Sequence, residues 1–302
     1  MHETLVCISK VKNEADFIEY STRANASIFS EMHFIDDNSA DNTIEILAQL
    51  AKEGLPVFIY SLQDRNERLK NLQGGLLTAL MRHLVSANNY GNGYIVPLDA
   101  DEIILCGRED MLAQLRIMPR NHYGLMQWMT FVPINGGNSK GSCIENSFKP
   151  LAKEQRAFHK VVIPINHSRS SVITKGSHSI FNEEIDLRPY ILDIDLGHFP
   201  VRSANQLVSK CLISAHKTRI RQAKDGENYH LLRVAERIRF QNYEVSDQEL
   251  YELALDYLGG RKGEILQGYD LRKAIPGVSL AYISRPIKPI CALDALLMDL
   301  IG

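Results

Sequence analysis

The first hundred residues alternate between short apolar runs and segments in which apolar residues recur at helical spacing. Runs rich in β-branched residues predict strands at residues 4–11, 31–35, 56–62 and 94–98. Apolar residues three and four apart predict helices at 15–30, after 41, and at 67–88. Strands and helices that alternate in this way form a mostly parallel sheet with helices on both faces. The chain is therefore predicted to be an α/β protein.

Polar residues follow three of these predicted strands at the point where each strand ends. They are Lys12, Asn13 and Glu14 after the first strand, Asp36 and Asp37 after the second, and Asp99, Asp101 and Glu102 after the fourth. The carboxyl ends of parallel strands meet at one edge of a sheet, where ligands of such folds bind. The sequence therefore predicts one polar site at this edge.

Asp99 and Asp101 are the most specific pair in this group. They lie two residues apart, so an extended backbone directs both carboxylates to the same side. Two anionic oxygen ligands in this position suit a divalent cation such as Mg²⁺ or Mn²⁺. A solvated turn is the alternative for an isolated Asp-x-Asp. The apolar runs on both sides of the acids, and the other two polar strand ends, favour the metal site.

Composition excludes several classes of protein. The chain has 302 residues and a formal net charge of −2, without the basic excess that is typical of nucleic-acid-binding proteins. It contains neither GxGxxG nor GxxxxGK[ST], which disfavours a dinucleotide-binding protein and a P-loop nucleotidase. Its five cysteines are scattered and no apolar stretch is long enough to span a bilayer, so we expect a cytoplasmic protein with reduced thiols.

Beyond residue 122 the pattern of elements changes. Further strands are predicted at 123–132, 158–165, 171–180 and 190–195, with a long polar loop at 133–155. Helices are predicted at 203–222, 229–240, 246–258 and 293–300. We therefore expect an α/β domain at residues 1–202 and a helical C-terminal region at 203–302 packed on it.

Several segments together resemble glycosyltransferases of the GT-A fold, and in particular family 2. They are Val11-Lys12-Asn13-Glu14, the run from Phe34 to Thr43, Leu98-Asp99-Ala100-Asp101-Glu102, and Gly197-His198-Phe199-Pro200-Val201-Arg202-Ser203 with Lys210. The resemblance covers about residues 4–215, and the segments occur in the order found in that family. It implies a Rossmann-like GT-A domain that binds a nucleotide-sugar.

The resemblance also implies roles for the acidic residues. A divalent metal, Mn²⁺ or Mg²⁺, would act as a Lewis acid on the diphosphate leaving group of the donor. Asp101 would ligate the metal directly and is the first expected catalytic residue. Asp99 would contact the ribose, or reach the metal through a water. His198 would complete the metal site or contact the diphosphate, because a neutral imidazole ligates metals well.

Other parts of the donor would be held by polar side chains on the same edge. By the same resemblance, Asp36 and Asp37 would bind the base and the ribose together with the Lys12–Glu14 turn, since carboxylates accept hydrogen bonds from hydroxyl and N–H groups. Arg202 and Lys210 would neutralise the phosphates. We expect a UDP-sugar as the donor.

Family 2 enzymes usually invert the anomeric centre, which requires a carboxylate base for the acceptor hydroxyl. The sequence leaves this base open. Glu102 adjoins the Asp-x-Asp, but one residue from Asp101 it should point to the other side of an extended backbone. The other candidates are Glu145 in the long loop, and Glu183, Glu184 and Asp186 between the two histidine segments.

The acceptor side is expected to involve Trp128 and His178. Trp128, the only tryptophan, is predicted either as a platform for a sugar ring or as a core residue. His178 is a second histidine candidate, ranked below His198.

Together these features predict a metal-dependent, inverting glycosyltransferase that acts on a glycan or lipid-linked acceptor in surface polysaccharide synthesis, at the inner face of the membrane. Peripheral membrane contact and a further domain or subunit at the C-terminus are compatible with this. One alternative is a sugar-phosphate nucleotidyltransferase, although no Gly-rich loop follows the first strand. The other is a non-catalytic module that binds nucleotide-sugars within a larger assembly.

Overall fold

A computed structural model describes residues 3–61, 73–88, 90–137, 144–154, 158–220, 229–257 and 263–301. The strands are β1 (Thr4–Val11), β2 (Glu31–Asp36), β3 (Val57–Ser61), β4 (Gly93–Pro97), β5 (Glu102–Ile104), β6 (His122–Pro133), β7 (Phe148–Pro150), β8 (His159–Pro164), β9 (Ser171–Ile173), β10 (Ile180–Asn182) and β11 (Arg188–His198). The helices are α1 (Ile18–Ala26), α2 (Thr43–Lys52), α3 (Gln73–Ala87), α4 (Arg108–Ile117), α5 (Ile144–Ser147), α6 (Ile165–Ser168), α7 (Ala204–Ile220), α8 (Tyr229–Phe240), α9 (Asp247–Tyr257), α10 (Leu271–Ala274) and α11 (Cys291–Ile301).

The main sheet has the strand order β3–β2–β1–β4–β8–β6–β11–β5. The first four strands are parallel, as the alternation of strands and helices predicts, and the α/β class is confirmed. From β8 onward the described pairs are antiparallel. The switch from parallel to antiparallel pairing has a local cause. Two parallel strands need a crossover connection, which is usually a helix. The residues described between α4 and α7 contain no long helix.

Helices cover both faces of the parallel strands. Alternate residues of β1 point to opposite faces, and all four of its central side chains are buried. Leu5 and Cys7 belong to the core cluster that contains α1, α2 and α4, whereas Val6 and Ile8 belong to the cluster that contains α3. Burial of each large aliphatic side chain stabilises the fold by about 1.5–3 kcal/mol.

The chain forms two compact units that are not continuous in sequence. The first contains Met1–Met129, Ala157–His198 and Arg272–Arg285, and the second contains Thr130–Arg156, Phe199–Leu271 and Pro286–Gly302. The division into domains at residues 1–202 and 203–302 stays a prediction, because compactness does not show which part folds alone.

In the second unit, α7, α8 and α9 share a core with the end of β6 and the residue after β7. The C-terminal helix α11 is joined to this core through Asp294, which is fully buried. The Asp294 carboxylate accepts hydrogen bonds from His216 Nε2 at 2.7 Å, from the Arg239 guanidinium at 2.7 and 2.8 Å, and from Tyr243 Oη at 2.8 Å.

Two local predictions are wrong. Residues 171–180 are not one strand, because β9 and β10 form a hairpin around a 3₁₀ turn in which Gly176 has φ +77°. A residue with a Cβ rarely adopts that conformation, so the strand cannot continue through it. The predicted loop at 133–155 contains α5 and β7, although its residues 138–143 and 155 lie outside the described residues.

The helices of the described ranges do not include one that is both long enough and apolar enough to cross a bilayer. Four cysteines are free thiols, namely Cys7, Cys106, Cys211 and Cys291. Cys143, which the prediction of reduced thiols also included, lies outside the described residues.

Candidate active site

The ends of β1 and β2 are bound to each other by side chains of the predicted donor site. Lys12 Nζ donates a hydrogen bond to the Asp37 carbonyl oxygen at 2.7 Å. Asn13 has φ +57°, its backbone N–H donates to Ser39 Oγ at 3.0 Å, and its Oδ1 accepts from Ala40 N–H at 2.8 Å. The two polar strand ends therefore form one connected surface, as predicted.

Asp36 and Asp37 have different surroundings on this surface. Asp36 is buried, and its carboxylate accepts hydrogen bonds from Ser39 N–H at 3.0 Å and from Ser39 Oγ at 2.6 Å. This is the local turn that aspartate side chains commonly stabilise, so Asp36 shapes the loop. The Asp37 carboxylate lies 3.2 Å from Lys10 Nζ. The structure thus brings both aspartates to the predicted edge.

The Asp-x-Asp turn connects β4 to β5, and its three carboxylates differ in accessibility. Asp99 is the most open, with a side chain 31% exposed, whereas Asp101 is 8% exposed. Glu102 is fully buried: its Oε2 accepts from Asp99 N–H and its Oε1 accepts from Trp128 Nε1–H, each at 2.8 Å. Asp99 is therefore the accessible acid of the turn, Asp101 lies largely beneath the surface, and Glu102 is part of the core.

Lys160 on β8 completes this charged group. Its side chain is fully buried, with Nζ 2.6 Å from Asp99 Oδ2 and 3.3 Å from Glu102 Oε2. Burial lowers the pKa of Lys160, but Asp99 and Glu102 outweigh this and raise it above its usual value, so the ammonium stays charged. Burial raises the pKa of Glu102 although Lys160 opposes the shift.

Sequence reasoning missed Lys160. The available signal was one lysine inside a mostly apolar predicted strand, since a buried charge requires a partner. The partner could not be identified, because the pairing of β8 with β4 is not visible in the sequence.

An aromatic cluster lies beside Glu102. His198 on β11 pairs directly with Glu102 on β5 in the antiparallel register. Its ring stacks on the Trp128 indole with centroids 4.0 Å apart and planes at 17°. His178 meets the same indole edge-to-face at 5.4 Å and stacks on Phe158 at 4.6 Å. Burial lowers the pKa of His178, which favours its neutral form.

Two sequence predictions need correction at this point. Glu102 cannot act as the acceptor base, because its carboxylate is fully buried and both of its oxygens already accept hydrogen bonds. Trp128 does not offer an open platform for a sugar, because it is 8% exposed and His198 covers one ring face. Its other predicted role, as a core residue, fits the structure.

The other candidate bases lie elsewhere. Glu184 is exposed on the turn after β10, where its backbone N–H donates to Asn182 Oδ1. The neighbouring Glu183 lies 3.1 Å from Arg82 on α3. Glu145 is half-buried on α5 in the second unit. Their roles as bases stay predictions.

The two predicted phosphate-binding residues belong to the second unit. Arg202 is buried, with its backbone N–H donating to Gln206 Oε1 at 3.1 Å. Lys210 Nζ donates to the Pro200 carbonyl oxygen at 3.3 Å and lies 5.3 Å from the centre of the Tyr257 ring. Their role at the phosphates stays a prediction.

The structure does not bring the predicted metal ligands together as a three-residue site. Within the described ranges, no three His, Cys, Asp or Glu side chains form a group that could hold a metal ion. Asp99, Asp101 and His198 are thus not gathered into a three-ligand group, and their role as metal ligands stays a prediction. The two aspartates still fit a cation shared with a substrate, because Mg²⁺ is usually bound by one or two carboxylates plus substrate phosphates.

Comparison with known proteins identifies the family of the N-terminal part. Residues 7–106 match the model of glycosyl transferase family 2, which is about a third of the chain. A comparison with curated proteins finds no significant match.

Among solved structures, glucosyl-3-phosphoglycerate synthase from Mycobacterium tuberculosis, in complex with Mn²⁺, UDP and glucosyl-3-phosphoglycerate, is 17% identical with a TM-score of 0.28. The match covers 42% of this chain and 44% of that chain, less than half of its length. Mannosyltransferase PcManGT from Pyrobaculum calidifontis, in complex with GDP-Man and Mn²⁺, is 12% identical with a TM-score of 0.43, covering 100% of this chain and 76% of that chain. Such TM-scores do not establish a shared fold, so the fold assignment depends on the sheet order and the family match.

The matched segment contains the functional edge of the sheet. It extends from β1 to the residues after β5, and it includes the Lys12–Glu14 turn, Asp36, Asp37 and the Asp-x-Asp turn. The match confirms the predicted resemblance and the predicted enzyme class. Residues 7–106 of this chain are therefore similar to the family 2 glycosyltransferases.

Proposed function

We propose that the protein transfers a sugar from a nucleoside diphosphate sugar to an acceptor hydroxyl, with Mn²⁺ or Mg²⁺ at the Asp-x-Asp turn. One observation carries the proposal. Asp99 and Asp101 stand at the carboxyl end of β4, beside the connected ends of β1 and β2, while Glu102 is turned into the core. This is the edge at which parallel α/β sheets bind their ligands.

Each group on the edge has a chemical task in this proposal. Asp101 holds the cation, with Asp99 contributing directly or through a water. The cation, when bound, acts as a Lewis acid on the diphosphate leaving group. Asp99 accepts a hydrogen bond from a donor hydroxyl, and Asp36 and Asp37 hold the nucleoside, with uridine as the expected base.

An inverting transfer also needs a base for the acceptor hydroxyl. The remaining candidates are Glu145, Glu183, Glu184 and Asp186, since Glu102 is hydrogen-bonded to Trp128 and the Asp99 backbone. His178 is proposed on the acceptor side, because burial keeps its imidazole neutral and able to accept a hydrogen bond.

The acceptor is proposed to be a glycan or a lipid-linked sugar of surface polysaccharide synthesis, used at the inner face of the membrane. Leu293 and Leu296 on α11 support contact with a further apolar surface, either a membrane or another subunit, because they are 51% and 56% exposed. Large apolar side chains grouped on a protein surface commonly mark such contacts.

Thermal unfolding with a panel of nucleoside diphosphate sugars, with and without Mn²⁺, tests the donor and the metal together. A ligand at 100 times its Kd stabilises the folded state by about 2.7 kcal/mol. We expect a shift in Tm that requires Mn²⁺ and is lost in Asp101→Asn but kept in the exposed control Asp110→Asn.

The same panel distinguishes the two alternatives. A nucleotidyltransferase would release pyrophosphate from a nucleoside triphosphate and a sugar phosphate, whereas a binding module would show the Tm shift with no donor hydrolysis. Absence of any Mn²⁺-dependent shift across the panel would contradict the proposal.

A further inference from the structure

Lys160 is a charged residue of the site to which the proposed reaction assigns no role. It lies near the start of β8, which runs antiparallel to β4, so this end of β8 is beside the end of β4. Its ammonium is fully enclosed by protein and contacts Asp99 and Glu102, the first and last acids of the turn.

The contacts of Lys160 continue through the site. Glu102 binds Lys160 with Oε2 and Trp128 with Oε1, and the Trp128 ring in turn stacks on His198. Four strands, β8, β5, β6 and β11, thus contribute one residue each to a continuous chain of contacts. Asp99 contacts Lys160 at one end of this series of contacts, and His198 stacks on Trp128 at the other end.

We propose that Lys160 is a positioning residue for donor binding: it fixes the orientation of Asp99 and, through Glu102, the orientation of Trp128 and His198. The proposal rests on the proposed function of the site. Three carboxylates within four positions repel one another, and a fixed ammonium between two of them reduces that repulsion. Asp99 Oδ2 stays on Lys160, so the carboxylate is held in one orientation when the donor arrives. Such preorganisation lowers the cost of binding.

A purely structural role makes a different prediction. If Lys160 only neutralised the buried Glu102, replacement of both residues by neutral side chains of similar shape would restore stability and binding together, since a buried ion pair can often be replaced in this way. If Lys160 positions Asp99, the double replacement restores stability but not donor binding, because Asp99 has lost its ammonium.

The test uses the full chain with Lys160→Met, Glu102→Gln and the double variant K160M/E102Q. Tm, kcat/KM and the Kd for UDP and for GDP with Mn²⁺ are measured for each. Trp128 is the only tryptophan, so its fluorescence reports nucleotide binding from inside the site. Lys52→Met, at the exposed end of α2, makes the same chemical change away from it.

We expect Lys160→Met to weaken Mn²⁺-dependent nucleotide binding and kcat/KM by about 10- to 100-fold, the usual loss for residues that orient metal ligands. The double variant should regain Tm relative to the single variants while its nucleotide Kd stays raised. If Lys160→Met does not fold, the double variant is compared with Glu102→Gln alone.

Two results would overturn the inference, and they are distinguishable. Wild-type protein that binds neither nucleotide with Mn²⁺ would overturn the proposed function as well. Wild-type protein that binds, together with a Lys160→Met or double variant that binds equally well, would overturn the positioning role alone.

Discussion

Each unit contains a buried ionic group, and the two groups differ in how their charges are arranged. In the second unit, one carboxylate, Asp294, accepts hydrogen bonds from three side chains. In the first unit, one ammonium, Lys160, contacts two carboxylates, and a third, Asp101, lies on the same turn. The second unit therefore directs several donors at one carboxylate, whereas the first unit shares one buried ammonium between two acids.

The pKa shifts of the two buried acids reflect this difference. Burial raises the pKa of Asp294, but hydrogen bonds from Arg239, Tyr243 and His216 outweigh it, so the net shift is downward. Burial raises the pKa of Glu102 and the single Lys160 does not reverse it. A fully hydrogen-bonded network rigidifies a fold, whereas buried acids with raised pKa values cluster at functional sites.

The largest expected effect comes from breaking the group around Asp294. Asp294→Ala leaves the half-buried Arg239 without its carboxylate, and loss of one partner of a buried pair costs up to about 3–5 kcal/mol. We expect a reduced free energy of unfolding in urea, with kcat/KM per folded molecule unchanged at low temperature. Asp247→Asn, exposed at the start of α9, is the control. A large loss of kcat/KM in stably folded Asp294→Ala would contradict the division between a structural and a functional group.

The next effect is the opposite one, a loss of activity without a loss of stability. Asp101→Asn removes the proposed cation ligand and should lower kcat by about 10²- to 10³-fold, the range seen when one transition-state electrostatic contact is removed. Chelation of the metal in wild-type protein should have a similar effect. Tm without ligand should change little, because asparagine is close to aspartate in size. Full activity of Asp101→Asn in the presence of a chelator would contradict the proposed metal.

The parallel half of the fold and the edge of the site could be predicted from the sequence, because strand ends and apolar spacing are local signals. The Lys12–Glu14 turn and Asp36 do meet where parallel strands should end. The other half of the site depends on antiparallel pairings between distant segments. The register that sets His198 opposite Glu102, and the approach of Lys160 to Asp99, have no local signature.

Trp128 offers a smaller test of how tightly the Lys160 group is organised. Trp128→Phe keeps an aromatic ring against His198 but removes the donor to Glu102 Oε1. A buried acceptor left without its partner costs about 1–3 kcal/mol, so we expect a lower free energy of unfolding by that amount. Phe158→Leu removes a ring contact without a hydrogen bond and should cost less. Equal losses in the two variants would show that the Trp128 donor contributes nothing.

The smallest expected effect concerns a third buried group, His33, which is hydrogen-bonded but carries no fixed charge. Its Nε2 lies 2.9 Å from Glu31 and its Nδ1 lies 2.9 Å from Tyr60 Oη. Burial lowers the pKa of His33 below its usual value, although Glu31 opposes the shift. The unfolded chain therefore binds more protons, and the free energy of unfolding should fall as the pH decreases from about 6.5 toward the folded-state pKa.

His33 differs from Asp294 and Glu102 because it is buried as a neutral side chain. His33→Gln keeps a neutral polar side chain. In this variant the free energy of unfolding, measured by urea denaturation, should no longer decline between about pH 7 and 5. The exposed His83 on α3 is the matched position, because His83→Gln should leave the decline in place. An unchanged decline in His33→Gln would assign it to other groups. Loss of the decline would show that this imidazole is neutral in the folded protein, as its burial requires.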